Sequence, residues 1–189
     1  MNDIDLKKYF LRSLVAARAV SALIGIFIFM MGDFGDTEVR ILLTTLTIGG
    51  FSLTGLCSAS IHHRIPLKYF SIIGLIVSAI GFFLSVGIVW ELIDIENVWK
   101  LWIIFIILSV AIAHSSLLLQ IIPKTDTIKY SLIATLFSIA LVALMLIKST
   151  LSEFDESEFY FRLLGVFTIL DAFGTTATPI LNKIAKKKA

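Results

Sequence analysis

Residues 162–184 read RLLGVFTILDAFGTTATPILNKI, an apolar run with a carboxylate, Asp171, near its middle. A helix needs about 20 apolar residues to cross a bilayer, and this run is long enough. An ionisable side chain inside such a span costs about 2.5–3.5 kcal/mol on insertion scales, so it usually faces a partner or a water-filled space. The run therefore predicts a transmembrane helix whose carboxylate points away from lipid.

The rest of the chain repeats this apolar character. Of its 189 residues, 58% are hydrophobic and 16% are charged, whereas a soluble domain is about 45–50% apolar and about 25% charged. The charges cluster between long apolar runs, and no polar interruption is long enough for a soluble domain. We therefore predict an all-α membrane protein with one integral membrane domain, residues 1–189. Its six predicted spans are about 10–31, 40–61, 69–91, 100–122, 130–147 and 162–184.

The connections between these spans alternate in charge. One side of the predicted membrane carries 12 basic and 3 acidic residues, and the other carries 4 basic and 10 acidic residues, with Asp171 left over. Lysine and arginine remain on the cytoplasmic side of a membrane protein. The alternation predicts that the N- and C-termini both lie in the cytoplasm.

An internal period of about 60 residues runs through the sequence. The triplet Lys-Tyr-Phe occurs at 8–10 and again at 68–70, each time opening a span. The spans that return each begin with a base, Arg40, Lys100 or Arg162, which lie 60 and 62 residues apart. This period predicts that the six helices form three copies of a helical hairpin.

This layout of three helical hairpins with short loops and small residues in the returning helices resembles the HdeD-type acid-resistance membrane proteins. It is also similar to uncharacterised six-span membrane proteins of Bacteroidetes-type bacteria. The resemblance covers the whole chain. It implies an inner-membrane protein linked to acid stress, and it assigns no site residues.

Three ionisable residues lie inside the predicted spans and away from their ends, namely Arg18, His114 and Asp171. A plain structural interpretation has Arg18 reaching the lipid headgroups, Asp171 bonding a neighbouring hydroxyl and His114 packed in its neutral form. Alternatively, Arg18 and Asp171 form an ion pair with His114 close by, or the three residues mark a path for a proton or solute.

Small and polar residues crowd the returning spans, where they favour close helix contacts. The alternative is that they line a path, and Pro179 in addition predicts a kink. The candidate packing or lining residues are Gly49, Gly50, Ser52, Gly55, Ser115, Gly174, Thr175, Thr176 and Pro179.

Motifs of enzyme chemistry are missing from the sequence. It contains no Gly-rich phosphate loop, no HExxH and no GxSxG, and its histidines do not have zinc-like spacing. We expect no catalytic residue, metal, cofactor or nucleic-acid partner. The leading hypothesis is a non-enzymatic, stress-related protein that acts through the bilayer, a homo-oligomer or a membrane protein partner. The alternative is a small ion, proton or solute transporter or channel whose path passes Asp171 and His114.

Overall fold

The computed structural model describes Leu23 and residues 25–27, 35–93, 95–153 and 155–188. All regular structure in this part of the chain is helical. The long helices are α1 (Asp36–Ala59), α2 (Lys68–Val89), α3 (Val98–Leu119), α4 (Asp126–Leu151) and α5 (Glu158–Lys188).

These five helices are long and apolar enough to cross a membrane. They correspond to the second to sixth predicted spans. Leu23 and residues 25–27 are also helical, and the rest of the first predicted span lies outside the described residues. A short 3-10 turn, Ile65–Leu67, leads into α2 and has a proline in its first turn.

Helix α4 extends beyond the predicted limits of 130–147 at both ends. It begins after Thr125, which has an extended backbone, and it continues through Lys148 and Thr150. The Thr150 hydroxyl donates to the Leu146 carbonyl at 2.9 Å, so this polar side chain is satisfied inside the last turn. Hydropathy ends the span too early because it cannot register polar residues that bond their own helix.

Helix α3 lies at the centre of the described array. It packs against α1, α2 and α4, while α1 also packs on α2, and α5 packs on α4. A stripe of small residues makes close contact possible on α2, since it recurs every three or four residues and so keeps to one face. The members of this stripe, all buried, are Ser71, Gly74, Ser78, Gly81 and Ser85.

The glycines of this stripe are sites of close helix approach. A Cβ added to Gly74 would lie 2.5 Å from Ser58 Oγ on α1 and 2.7 Å from Ile112 Cγ2 on α3. A Cβ on Gly81 would meet the ring of Phe51. Glycine is therefore required at both positions for the helices to remain at this separation.

The outer helices of the described array bury little of their apolar surface. About 6% of the membrane-length window is buried in α1 and in α5, against 22–28% in the other three helices. Side chains such as Leu46 and Phe173 are about 70% exposed. These faces are suited to contact with lipid or with other membrane helices.

Polar contacts tie the helix ends together. At the end where α1 and α3 finish, Arg64 donates to the carbonyl oxygens of Leu119 and Gln120 at 2.6 and 2.8 Å. The Gln120 side-chain amide donates to Ser60 Oγ at 2.8 Å. The four backbone carbonyls at a helix C-terminus have no partner within the helix, and Arg64 supplies partners for the Leu119 and Gln120 carbonyls at the end of α3.

The opposite end of the array is held by two ion pairs. Arg40 bonds Glu91 at 2.5 Å, and Lys100 bonds Glu153 at 2.6 Å. Both glutamates follow the end of a helix and have left-handed backbone conformations, with φ of 54° and 55°. The Lys100 ammonium, through its hydrogen bond and then its charge, lowers the pKa of Glu153 from its usual value.

Candidate functional site

A polar cluster lies between α3 and α5. His114 comes from α3, and Asp171 and Thr175 stand one turn apart on α5, so both reach the same face. His114 Nε2 lies 2.9 Å from Thr175 Oγ1, and His114 Nδ1 lies 3.8 Å from Asp171 Oδ2. The Thr175 hydroxyl donates to Asp171 Oδ1 at 3.2 Å. The three side chains thus form one connected network.

The hydrogen bonds of this network are consistent with one tautomer of the histidine. If the single Thr175 hydroxyl proton goes to Asp171, the hydroxyl oxygen accepts from His114 Nε2–H. Nδ1 then faces the carboxylate across 3.8 Å, which is too long for a direct hydrogen bond. One further proton can be placed in this gap, either on Nδ1 to give an ion pair or on Asp171 to give a neutral acid.

The cluster is largely shielded from solvent but is not fully buried. The Asp171 side chain is 16% exposed and that of His114 is 30% exposed. A carboxylate so enclosed needs partners, because water no longer solvates it fully. Thr175 and His114 are the partners that the structure provides among the described residues.

Two cavities meet at this cluster. The larger, about 610 Å³, extends from His114 and Thr175 to Gln120, Lys124 and Asn182 at the end of the helices. The smaller, about 260 Å³, lies between α3, α4 and α5 on the other side of the cluster. Its walls are apolar apart from His114 and Asp171. Among the described residues, His114 is the one that lines both cavities.

Arg18, the third member of the predicted cluster, lies outside the described residues. The Arg18–Asp171 ion pair therefore stays a prediction. The structure brings together His114 and Asp171 and adds Thr175, which the sequence placed only among packing or lining residues.

The other candidate residues of α5 differ in their surroundings. A Cβ on Gly174 would collide with the Thr135 side chain of α4, so this glycine lies at a close helix contact. Thr176 is exposed, and its hydroxyl bonds carbonyls of its own helix. Pro179 lies inside α5, which continues to Lys188, and it lines the larger cavity.

The candidate residues of α1 and α3 also differ in their surroundings. Gly55 is buried and would place a Cβ 3.8 Å from Leu75, an ordinary contact, and Ser52 lines the groove beside it. Nothing among the described residues lies within 4 Å of a Cβ on Gly49 or Gly50. The expectation of close packing therefore finds no partner at these two positions in the described structure. Ser115 is half-buried on α3.

Sequence reasoning missed the cavity residues Gln120, Lys124 and Asn182, and it missed Thr135, which lies against Gly174. The 60-residue period carried a signal for part of this set. Gln120 and Asn182 are 62 residues apart, at matching positions of successive returning helices. His114 and Thr175, which bond each other, are 61 residues apart, one position short of this 62-residue register.

No family model, curated protein or solved structure matches this chain. Within the described ranges, no group of three or more His, Cys, Asp or Glu residues is arranged to hold a metal ion. The geometry of the His114–Thr175–Asp171 network is thus the main guide to function.

Proposed function

We propose that this chain is a multi-pass, non-enzymatic protein of the bacterial inner membrane that moves a proton, alone or with a small ion or solute, through the His114–Thr175–Asp171 network. The observation that carries this proposal is the His114–Asp171 pair at membrane-helix depth, with His114 lining both cavities and Asp171 lining the smaller one. Ionisable side chains at membrane depth are costly and usually mark ion or proton pathways.

The two cavities give the path its direction. The larger cavity ends at Lys124, which the charge distribution assigns to the cytoplasmic side. A proton entering from there binds Nδ1 of His114, which faces Asp171 Oδ2. It passes to that oxygen when the side chains close the 3.8 Å gap, and Asp171 releases it into the smaller cavity. The Thr175 hydroxyl, which is hydrogen-bonded to both His114 and Asp171, holds the two side chains in place during the transfer.

The proposal includes three hairpin repeats, and the ion pairs support them. Arg40 and Lys100 lie 60 residues apart, and their partners Glu91 and Glu153 lie 62 residues apart. Each base opens a returning helix and binds the acid that ends the outgoing helix of the next hairpin. Repeats in membrane transporters commonly place the transport site at their interface.

Proton flux into liposomes tests the function. The purified protein is reconstituted around a trapped pH-sensitive dye, and a potassium diffusion potential drives protons inward. We expect flux from the unaltered protein, strong loss in Asp171→Asn and His114→Gln, and reduced flux in Thr175→Val. Thr176→Val is the matched control, because that hydroxyl is exposed and bonds only its own helix. Flux equal in all variants, or no flux above protein-free liposomes, would contradict the proposal.

A second candidate function is supported by the wide apolar faces of α1 and α5. In it the protein is stress-related, as the resemblance to HdeD-type proteins implies, and acts through a homo-oligomer or a membrane protein partner. Purification in a mild detergent followed by native mass spectrometry would then show a stable oligomer or a second subunit. The liposome assay would show no flux.

A further inference from the structure

The larger cavity lies between the ends of the returning helices α3 and α5. At the corresponding position between the returning helices α1 and α3, polar side chains fill the space. Between α1 and α3, Arg64 donates to two carbonyl oxygens and the Gln120 amide donates to Ser60. These hydrogen bonds satisfy the polar groups at this position and join the two helix ends.

Between α3 and α5, the corresponding groups stand around open space. Lys124 lies 60 residues after Arg64, and Asn182 lies 62 residues after Gln120. Both line the cavity of about 610 Å³. Asn182 is 9% exposed, and its Oδ1 has no hydrogen-bond partner among the described residues. None of the ion pairs between described residues includes Lys124.

A buried amide without a partner is unusual in a folded protein, because leaving it unbonded costs stability. In a cavity of this size, the missing partner can be a bound molecule. An amide both donates and accepts, so it suits a head group that carries an acceptor oxygen together with a hydroxyl or amine.

The walls of the cavity define the rest of the occupant. Among the described residues, no carboxylate lines it, and Lys124 is the only permanent cation in its walls. Apolar side chains cover the distance between Lys124 and His114, including Leu117, Ile121 and Pro179. Thr175 and Asn182, which also line the cavity, are seven residues apart on α5, or about 10 Å along a helix. The cavity therefore combines an anion-binding end with an apolar body.

We propose that this cavity binds an anionic amphiphile, with its phosphate or carboxylate at Lys124, its hydroxyl or amine at Asn182 and Gln120, and its apolar part along α3 and Pro179. Two sources share this chemistry: a membrane phospholipid and a water-soluble amphipathic anion. The site does not depend on proton movement, so Asp171→Asn should leave binding unchanged even where it abolishes flux.

Native mass spectrometry of the full chain in a neutral detergent tests this site. The probes are dioleoylphosphatidylglycerol, dioleoylphosphatidylcholine and dodecyl phosphate. We expect the phosphatidylglycerol to bind more tightly than the phosphatidylcholine. Lys124→Gln should weaken phosphatidylglycerol binding about tenfold, the usual scale for losing one charge-assisted hydrogen bond. Lys129→Gln, an exposed lysine outside the cavity, is the matched control and should have no effect.

Asn182→Leu separates a binding role from a structural one. The leucine removes a buried amide with an unbonded oxygen, so it should raise the melting temperature of the lipid-free protein while it lowers lipid binding. A purely structural asparagine would give a lower melting temperature with binding unchanged, and this result would overturn the proposal. Equal weakening by Lys124→Gln and Lys129→Gln would also overturn it, because it indicates surface attraction only.

The probes also distinguish the two sources. Tight binding of dodecyl phosphate with no retained diacyl lipid assigns the site to a soluble amphiphile. Retention of phosphatidylglycerol against excess dodecyl phosphate assigns it to a membrane lipid. Binding of neither anion would refute the site altogether.

Discussion

Two glycines of α5, Gly174 and Gly165, should respond in opposite directions to the same small change. A Cβ on Gly174 would collide with Thr135, a residue that is 3% exposed and belongs to α4. A Cβ on Gly165 meets nothing within 4 Å among the described residues. The two substitutions therefore share one helix and one added methyl group, and they differ only in the space that receives it.

The expected magnitudes follow from two opposing effects. Alanine is favoured over glycine in a helix by up to about 1 kcal/mol, which is the whole effect expected for Gly165→Ala. Overpacking a close contact costs about 1–3 kcal/mol, and Gly174→Ala must push Thr135 or α4 aside. After subtracting the helix gain of about 1 kcal/mol, Gly174→Ala should destabilise by up to roughly 2 kcal/mol. The free energies of unfolding should thus change with opposite sign.

Unfolding in mixed micelles with increasing sodium dodecyl sulfate, followed by circular dichroism, measures both changes. Thr135→Ala removes the Oγ1 atom nearest to the added Cβ, so the Gly174→Ala/Thr135→Ala double variant should recover part of the loss. If Gly174→Ala is as well tolerated as Gly165→Ala, or if the double variant shows additive losses, the close contact between α4 and α5 is refuted.

Two further predictions concern the connections. In a Cys57→Ser background, a cysteine at Glu96 should react with an impermeant thiol reagent added outside intact cells and one at Thr125 should not, and the reverse pattern would overturn the orientation. The Lys100–Glu153 pair lowers the pKa of Glu153, so its stabilisation is present above pH of about 4.5 and is lost as pH falls through the lowered pKa. The melting temperature of Lys100→Gln should therefore lie slightly below that of the unaltered protein at pH 7 and approach it near pH 3, whereas a constant difference would show that the charge pair is not the cause.

The helical class and the existence of five membrane-length helices could be predicted from the sequence, because hydropathy alone decides them. The membrane depth of His114 and Asp171 stays a prediction from counting residues along their helices. Their mutual contact through Thr175 did not follow, because it depends on how α3 and α5 are rotated about their axes.

Other features depend on which helices are neighbours. Gly55 and Gly174 lie at helix contacts, whereas Gly50 is exposed in the described structure, although all three share a similar sequence setting. The collision partner of Gly174, Thr135, belongs to another helix and is selected by tertiary packing. The cavity that Asn182 lines is likewise formed by residues of α3 and α5 together, and no local pattern encodes that arrangement.

The two ends of the helix array are joined by different kinds of bond, and this makes them unequal in their response to the medium. Arg64 binds backbone carbonyls, which neither titrate nor exchange partners with dissolved cations. Glu91 and Glu153 are exposed carboxylates in ion pairs, which acid neutralises and salt screens. Acid or high ionic strength should therefore loosen the hairpins at the glutamate end while the arginine end stays closed. The helices would then move apart at the glutamate end only.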